Sequence, residues 1–170
     1  MFKNLTVYRM GPDWTATAAE IEAELDKGRF VECGASQQKS MGWVEPRGEA
    51  NAPLVEVVDG QILLKLMTEQ RVVPGSVIKK RTEEIAAQIE EQTGRKPGKK
   101  QIKDLKEQAL HELLPMAFTK QGSTWVWMDP HARTLVLDTS SQARADEVVS
   151  TLVELLPPGF AVALLSTQTS

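Results

Sequence analysis

One cysteine, Cys33, stands among 170 residues. A lone thiol excludes an internal disulfide framework and a cysteine-based zinc finger. No apolar run approaches the roughly 18 residues that a membrane span needs. The opening stretch, Met1 to Arg9, lacks the apolar segment of a signal peptide, so a soluble, cytoplasmic protein is expected. Histidine is equally scarce. His111 lies four residues from Glu107, and His131 follows Asp129-Pro130. Neither has a second His or a Cys at ligand spacing, so no metal is expected. There is no Gly-x-Ser-x-Gly nucleophile motif. Gly94 to Lys100 has the wrong glycine spacing for a phosphate loop, and no Ser or Thr follows its lysines. Glu83-Glu84 sit four residues after Lys79-Lys80, which is structural pairing on a helix surface. With no catalytic constellation in sight, neither an enzyme nor a cofactor is expected.

What the chain does have is an uneven charge. The net charge is −3, yet residues 65–110 carry 11 Lys/Arg against 7 Asp/Glu, while the remainder is strongly acidic. The densest patch runs from Arg95 to Lys106, where Arg95, Lys96, Lys99, Lys100, Lys103 and Lys106 face only Asp104. A basic segment on an acidic body points one face toward a polyanion. The same pattern also fits a solvated helical tip. The apolar content of 41% supports a packed core.

Periodicity orders the elements. Phe2 to Arg9 alternates as a strand, and Thr15 to Gly28 reads as a helix with Gly28 at its C-terminal turn. Arg29 to Cys33 suggests a short strand. The stretch to Pro53 reads as loop, interrupted by Met41-Gly-Trp-Val44. Asp59-Gly60 between Leu54–Val58 and Gln61–Leu66 signals a hairpin. After Pro74-Gly75, Ser76 can cap a helix whose stripe is Ile78, Thr82, Ile85 and Ile89. Gly94 and Pro97-Gly98 end it. A second helix from Lys99 carries Ile102, Leu105, Ala109 and Leu113 on one face, and Pro115 closes it. Thr124–Asp129 and Arg133–Asp138 form another hairpin. Ser140 or Ser141 caps a helix to Leu156, and Phe160 to Leu165 is a last strand before a frayed tail. The expected class is α+β with mainly antiparallel pairing and an inserted helical hairpin. The expected division is a sheet region, 1–73 with 119–170, and a hairpin excursion, 74–118.

On the second hairpin helix, 100° per residue puts Lys99, Lys103 and Lys106 in one sector beside the apolar stripe, with Lys100 next to it. Lysines without nearby aromatics suit sequence-neutral phosphate contact rather than base reading. Contact with about four to six phosphates would give a slope of log K against log salt near −4 to −5 on duplex DNA. Trp125 and Trp127 alternate onto one strand face, which suits core or interface packing better than base stacking. Phe118, in a polar context past the helix, fits either the core or a partner's pocket. Rival readings are a protein-interaction module built on the hairpin and a small enzyme with a site assembled in space.

Several strings also resemble one family in order along the chain: Phe2-Lys-Asn-Leu-Thr-Val-Tyr-Arg9, Met41-Gly-Trp-Val-Glu-Pro46, Asp59-Gly-Gln-Ile-Leu-Leu64, Pro74-Gly-Ser-Val-Ile-Lys79, Leu110 to Phe118, and Leu135 to Ser141. Together they resemble the RdgC family of bacterial recombination-associated proteins. The resemblance implies a nucleoid-associated, non-enzymatic protein that binds DNA without sequence preference. It implies a dimer closed into a ring around duplex DNA, and antagonism of RecA-dependent strand exchange by occupancy. It places Lys79, Lys80 and Arg81 with Arg95 to Lys106 on the part that reaches toward the opening, and Phe118 at a dimer contact. Single-stranded DNA is a further expected partner. Members of that family run well beyond residue 170, so an N-terminal portion is expected.

Overall fold

The computed structural model describes residues 4–12 and 14–169. The elements are β1 (Asn4–Met10), α1 (Ala18–Leu25), β2 (Lys39–Val44), β3 (Glu56–Val58), β4 (Gln61–Val72), α2 (Gly75–Thr93), α3 (Lys99–Leu113), β5 (Phe118–Asp129), β6 (Thr134–Leu137), α4 (Gln142–Leu155) and β7 (Val162–Thr169). The strands form one antiparallel sheet in the order β2-β4-β5-β6-β1-β7, with β3 also paired to β4. Helices and sheet together make an α+β fold.

The chain divides into two compact units. Unit 1 comprises 1–31, 41–68 and 122–170; unit 2 comprises 32–40 and 69–121. The long strands β4 and β5 each contribute residues to both.

In unit 1, α1 and α4 supply Ile21, Leu25, Ala145, Val148 and Leu152 to a core with one face of the sheet. That face alternates as period two requires: Ile62, Leu64 and Leu66 from β4, Val126 and Met128 from β5, Leu135 and Leu137 from β6. Thr17 caps α1 by accepting from the Glu20 N–H, and Glu20 returns the bond to the Thr17 N–H, a reciprocal capping box. The Asp59-Gly60 turn has positive φ at both positions and joins β3 to β4 with Val58 opposite Gln61, the expected hairpin.

Several expectations need correction. The strand expected at Arg29–Cys33 is a single bridge from Arg29 to Trp43, because the Cys33 N–H turns instead to the Glu69 carboxylate at 2.9 Å. The interrupted loop around Met41–Val44 is the strand β2, which buries Trp43. β3 begins at Glu56 rather than Leu54, since the N–H groups of Leu54 and Val55 donate to the Glu22 carboxylate on α1. Gly28 does not take a left-handed turn. An added Cβ there would lie 2.9 Å from Leu155 Cδ2, so its role is close packing against α4. Ser76 is no cap: Pro74 holds that position, and its carbonyl accepts from Val77 and Ile78. β5 starts at Phe118, six residues before the expected Thr124. Phe160 precedes its strand and packs edge-on against Trp14, with ring centroids 5.1 Å apart. The tail beyond Leu165 is not frayed, because β7 pairs with β1 as far as Asn4–Thr169. Of the strand expected from Phe2, the first two positions, Phe2 and Lys3, lie outside the described residues, as does Ser170.

Candidate nucleic-acid interface

Unit 2 is built on an antiparallel pair of helices, α2 and α3. Ile85, Leu105 and Ala109 are buried between them, supported by Ile78, Ala86, Ile89 and Ile102. Gly94 ends α2 with φ 74° and returns its N–H to the Glu90 carbonyl at 2.7 Å. A residue with a side chain would be strained in that left-handed position. Arg95 and Lys96 follow in the turn, and α3 starts at Lys99 from an N-cap glycine, Gly98, that offers no side-chain cap.

This start is electrostatically poor. Lys99 and Lys100 occupy the first turn of α3, where the positive end of the helix dipole repels cations. No acidic residue in that turn offsets them. A sequence optimised only for helix stability would carry Asp or Glu here.

The two flanks of the hairpin differ sharply. On one flank Lys79 of α2 and Lys106 of α3 line the same open groove, floored by Ile78, Ala86 and Ile102, with the Glu83 carboxylate also on its wall. Helical spacing puts Lys99 and Lys103 in the same row as Lys106. Over the seven steps from Lys99 to Lys106 this row runs about 10 Å along the axis. On the opposite flank Arg81 donates to Glu112 at 2.7 Å and to Glu84 at 3.2 Å, joining the helices. That pairing raises the Arg81 pKa, chiefly through the Glu112 bond, and lowers that of Glu112 from the usual 4.5.

Among the described residues, Lys79, Lys80, Arg95, Lys96, Lys99, Lys100, Lys103 and Lys106 are exposed, and none takes part in a salt bridge. The Lys79–Glu83 and Lys80–Glu84 pairs expected from the i, i+4 spacing do not form, and Glu84 goes to Arg81 instead, which is partly buried and already neutralised. Eight of the nine sequence-proposed cations thus remain available to an anion, and the ninth binds the scaffold. An Arg81→Ala variant is expected to loosen the hairpin, read as faster amide exchange in α2 and α3. The lowered pKa of Glu112 means that its contribution is present above the unfolded carboxylate range and is lost as pH falls through its folded value. The exchange difference between wild type and variant should therefore narrow in acid.

Sequence reasoning missed a second feature of this unit. Glu69, on β4, is buried, and its carboxylate accepts from the Cys33 N–H at 2.9 Å and from Gln121 Nε2 at 2.7 Å. These bonds, the one from Gln121 foremost, lower its pKa. Two residues on, the Arg71 guanidinium donates to the carbonyls of Gly34, Cys33, Leu114 and Ala117. Arg71 thereby fixes the short turn Leu114–Met116, which hands the chain to Phe118 at the start of β5. Phe118 is 88% exposed and Met116 73% exposed. With Val72, Pro74, Val77 and Leu113 they line a shallow cavity of about 260 Å³.

Cys33 is a buried, free thiol that donates to the Glu69 carbonyl at 3.4 Å. His111 and His131 are exposed and lie in different units. Among the described residues no three His, Cys, Asp or Glu side chains are grouped to hold a metal, and no helix is long and apolar enough to cross a membrane.

The fold and site together define an α+β scaffold with a helical hairpin, one flank of which presents lysines that form no salt bridge. Comparison with known proteins narrows this. The family model described as "Putative exonuclease, RdgC" matches residues 1–170, and the chain belongs to the RdgC family. It is 46% identical over 153 residues to the recombination-associated protein RdgC of Herminiimonas arsenicoxydans, covering 90% of this chain and 50% of that protein. It is 45% identical over 157 residues to the Cupriavidus necator protein of the same name, covering 92% and 52%. Against the Dechloromonas aromatica protein, again of that name, it is 39% identical over 169 residues, covering 99% and 55%. The chain spans about half the length of these curated relatives. All three relatives carry the same name, recombination-associated protein RdgC.

Proposed function

We propose that this chain binds duplex DNA without sequence preference through the lysine flank of the α2–α3 hairpin, and so impedes recombinase-driven strand exchange. The observation that carries the reading is the asymmetry of the hairpin: a row of unpaired lysines on one side, an Arg–Glu network on the other. Lysine ammonium groups displace condensed counterions from the phosphate backbone, and the entropy of that release drives binding. Lysines act as mobile point charges, so they follow the backbone without reading bases. The mechanism is occupancy, without bond cleavage. Duplex DNA is the primary ligand and single strands a weaker one, since no aromatic platform lies on this flank.

The test is a strand-exchange reaction with RecA on a duplex of arbitrary sequence. Added protein should slow exchange in proportion to DNA coverage and leave the duplex at its original length in the presence of Mg²⁺. Unimpeded exchange at saturating protein, or progressive shortening of the duplex, would refute the reading.

Self-association is the second part, carried by the exposed apolar patch at Phe118. A side chain that large, held in place by the Arg71 clamp, has the character of an anchor for a partner's pocket. The shallow cavity that Phe118 helps to line, with Val72, Pro74 and Leu113, offers an apolar surface to a second copy. In the longer relatives such a contact would help to close a ring around DNA. Phe118→Ala is expected to raise the dimer dissociation constant about tenfold or more, measured by sedimentation equilibrium. Its melting temperature should stay close to wild type, because little of the ring is buried in one copy.

A further inference from the structure

The sheet of unit 1 has two faces, and only one is accounted for by its core. The residues of the other face follow from the strand registers. Trp127 stands opposite Val136, and Val136 opposite Val7. Gln61 donates to Asp129, and Lys65 Nζ lies 4.8 Å from the Trp125 ring centroid. These two contacts bracket Leu63 beside Trp127. A row of four apolar side chains, Leu63, Trp127, Val136 and Val7, therefore crosses four neighbouring strands. None of them belongs to the core cluster or to the apolar residues packed on it, and each stays partly exposed. Trp125 and Leu5 widen the row on one side, and polar Gln61, Asp129, Thr134 and Arg9 border it on the other.

An antiparallel sheet with one solvated face normally places polar residues there. This one places two tryptophans and four aliphatic residues, in the arrangement of an apolar interface core with a polar rim. Charge does not favour a nucleic acid, since Lys65 and Arg9 are balanced by Asp129 and Asp138 on the same face, and Glu56, opposite Leu63, binds Arg47 at 2.9 Å. The relatives offer a different occupant. They carry about as many residues again outside the matched half, and a sheet backed by helices on one side gains a further packed layer by covering the other.

We propose that this face is the docking surface for a polypeptide homologous to the unmatched half of the relatives, with the Leu63–Trp127–Val136–Val7 row at the centre of the contact. The partner chemistry is an apolar layer that excludes water from the row and meets the rim of Gln61, Asp129 and Arg9 with polar groups. This inference is independent of DNA binding by the hairpin.

Hydroxyl-radical labelling read by mass spectrometry tests it. In the 170-residue protein, Trp125 and Trp127 should oxidise readily, while Trp14 and Trp43, both in the core, stay protected and report an intact fold. In a fusion of this chain to the unmatched half of the Herminiimonas arsenicoxydans relative, labelling of Trp125 and Trp127 should fall several-fold. Val136→Lys should leave the melting temperature of the 170-residue protein nearly unchanged and restore labelling in the fusion. If the fusion does not fold, the intact relative is labelled instead, and the peptide that matches Thr124–Asp129 should be protected. Unchanged labelling in a folded fusion or in the intact relative overturns the proposal. So does protection that appears in the 170-residue protein with rising concentration, which would assign the face to a second copy. Protection that appears on adding oligothymidylate would assign it to single-stranded DNA and overturn it equally.

Discussion

Replacing Lys99 and Lys103 with glutamate together is expected to weaken binding to duplex DNA by about tenfold or more at moderate salt, equally for unrelated sequences. Both side chains lie in the row that includes Lys106, and neither is engaged by a carboxylate. Each phosphate contact contributes about 0.9 to the salt slope, so the double variant should also lose about two units of slope. The fold should tolerate the change. Glutamate at Lys99, in the first turn of α3, is favoured by the helix dipole, and the hairpin ought to become slightly more stable while binding less. A gain in stability alongside a loss in affinity separates a binding role from a structural one. Lys27→Glu on unit 1 is the control, because it shifts net charge in the same sense far from the hairpin in sequence. If it weakens binding as much per residue, net charge and not the flank governs the interaction.

Gly42→Ala is expected to cause the largest loss of stability of any single methyl addition here. Gly42 lies on β2 where the backbone of Arg29 and Phe30 crosses it: Phe30 donates its N–H to the Trp43 carbonyl at 3.0 Å. A Cβ on Gly42 would lie 2.5 Å from Phe30 N and 2.7 Å from Arg29 C, and it would also collide with Phe30 Cα. All three are backbone atoms that cannot rotate away. The strand must separate from its neighbour or bend, displacing Trp43 from the core. Overpacking of this kind costs about 3 kcal/mol, which for a chain of this size lowers the melting temperature by roughly 10 °C. Gly98→Ala, at a position with φ −75° and open space around it, should change little by comparison. A melting temperature for Gly42→Ala within about 2 °C of wild type would show that the crossing is looser than its geometry indicates.

Local rules carried much of the fold. The Asp59-Gly60 turn was legible because its backbone demands two positive φ angles, which few dipeptides supply. The helical hairpin was legible because its stripes repeat at 3.6 residues and glycines bound the turn. The lysine row followed from the same spacing. What escaped depends on contacts distant in sequence. β2 is short and contains a glycine and two polar residues, so its alternation is weak; it is a strand because Trp43 is buried and Phe30 binds alongside. The first half of β5, from Phe118 to Ser123, is exposed at every position, so no burial period marks it. Glu69 and Arg71 read as ordinary charges at the end of an apolar strand. Their roles arise from carbonyls and N–H groups some 36 to 52 residues away. Arg81 shows the converse: its type and position matched the basic patch, but its partners Glu84 and Glu112 come from turns of helix that one-dimensional charge counting does not connect.

Binding by the hairpin flank would be driven by counterion release, and the salt dependence of duplex binding measures that release most directly. Fluorescence anisotropy with two unrelated duplexes, titrated across a series of monovalent salt concentrations, should give one common line of log K against log salt with a slope near −4 to −5 per protomer. A flat line, or affinities that part by sequence while ignoring salt, would contradict an interaction made by unpaired lysines with phosphates.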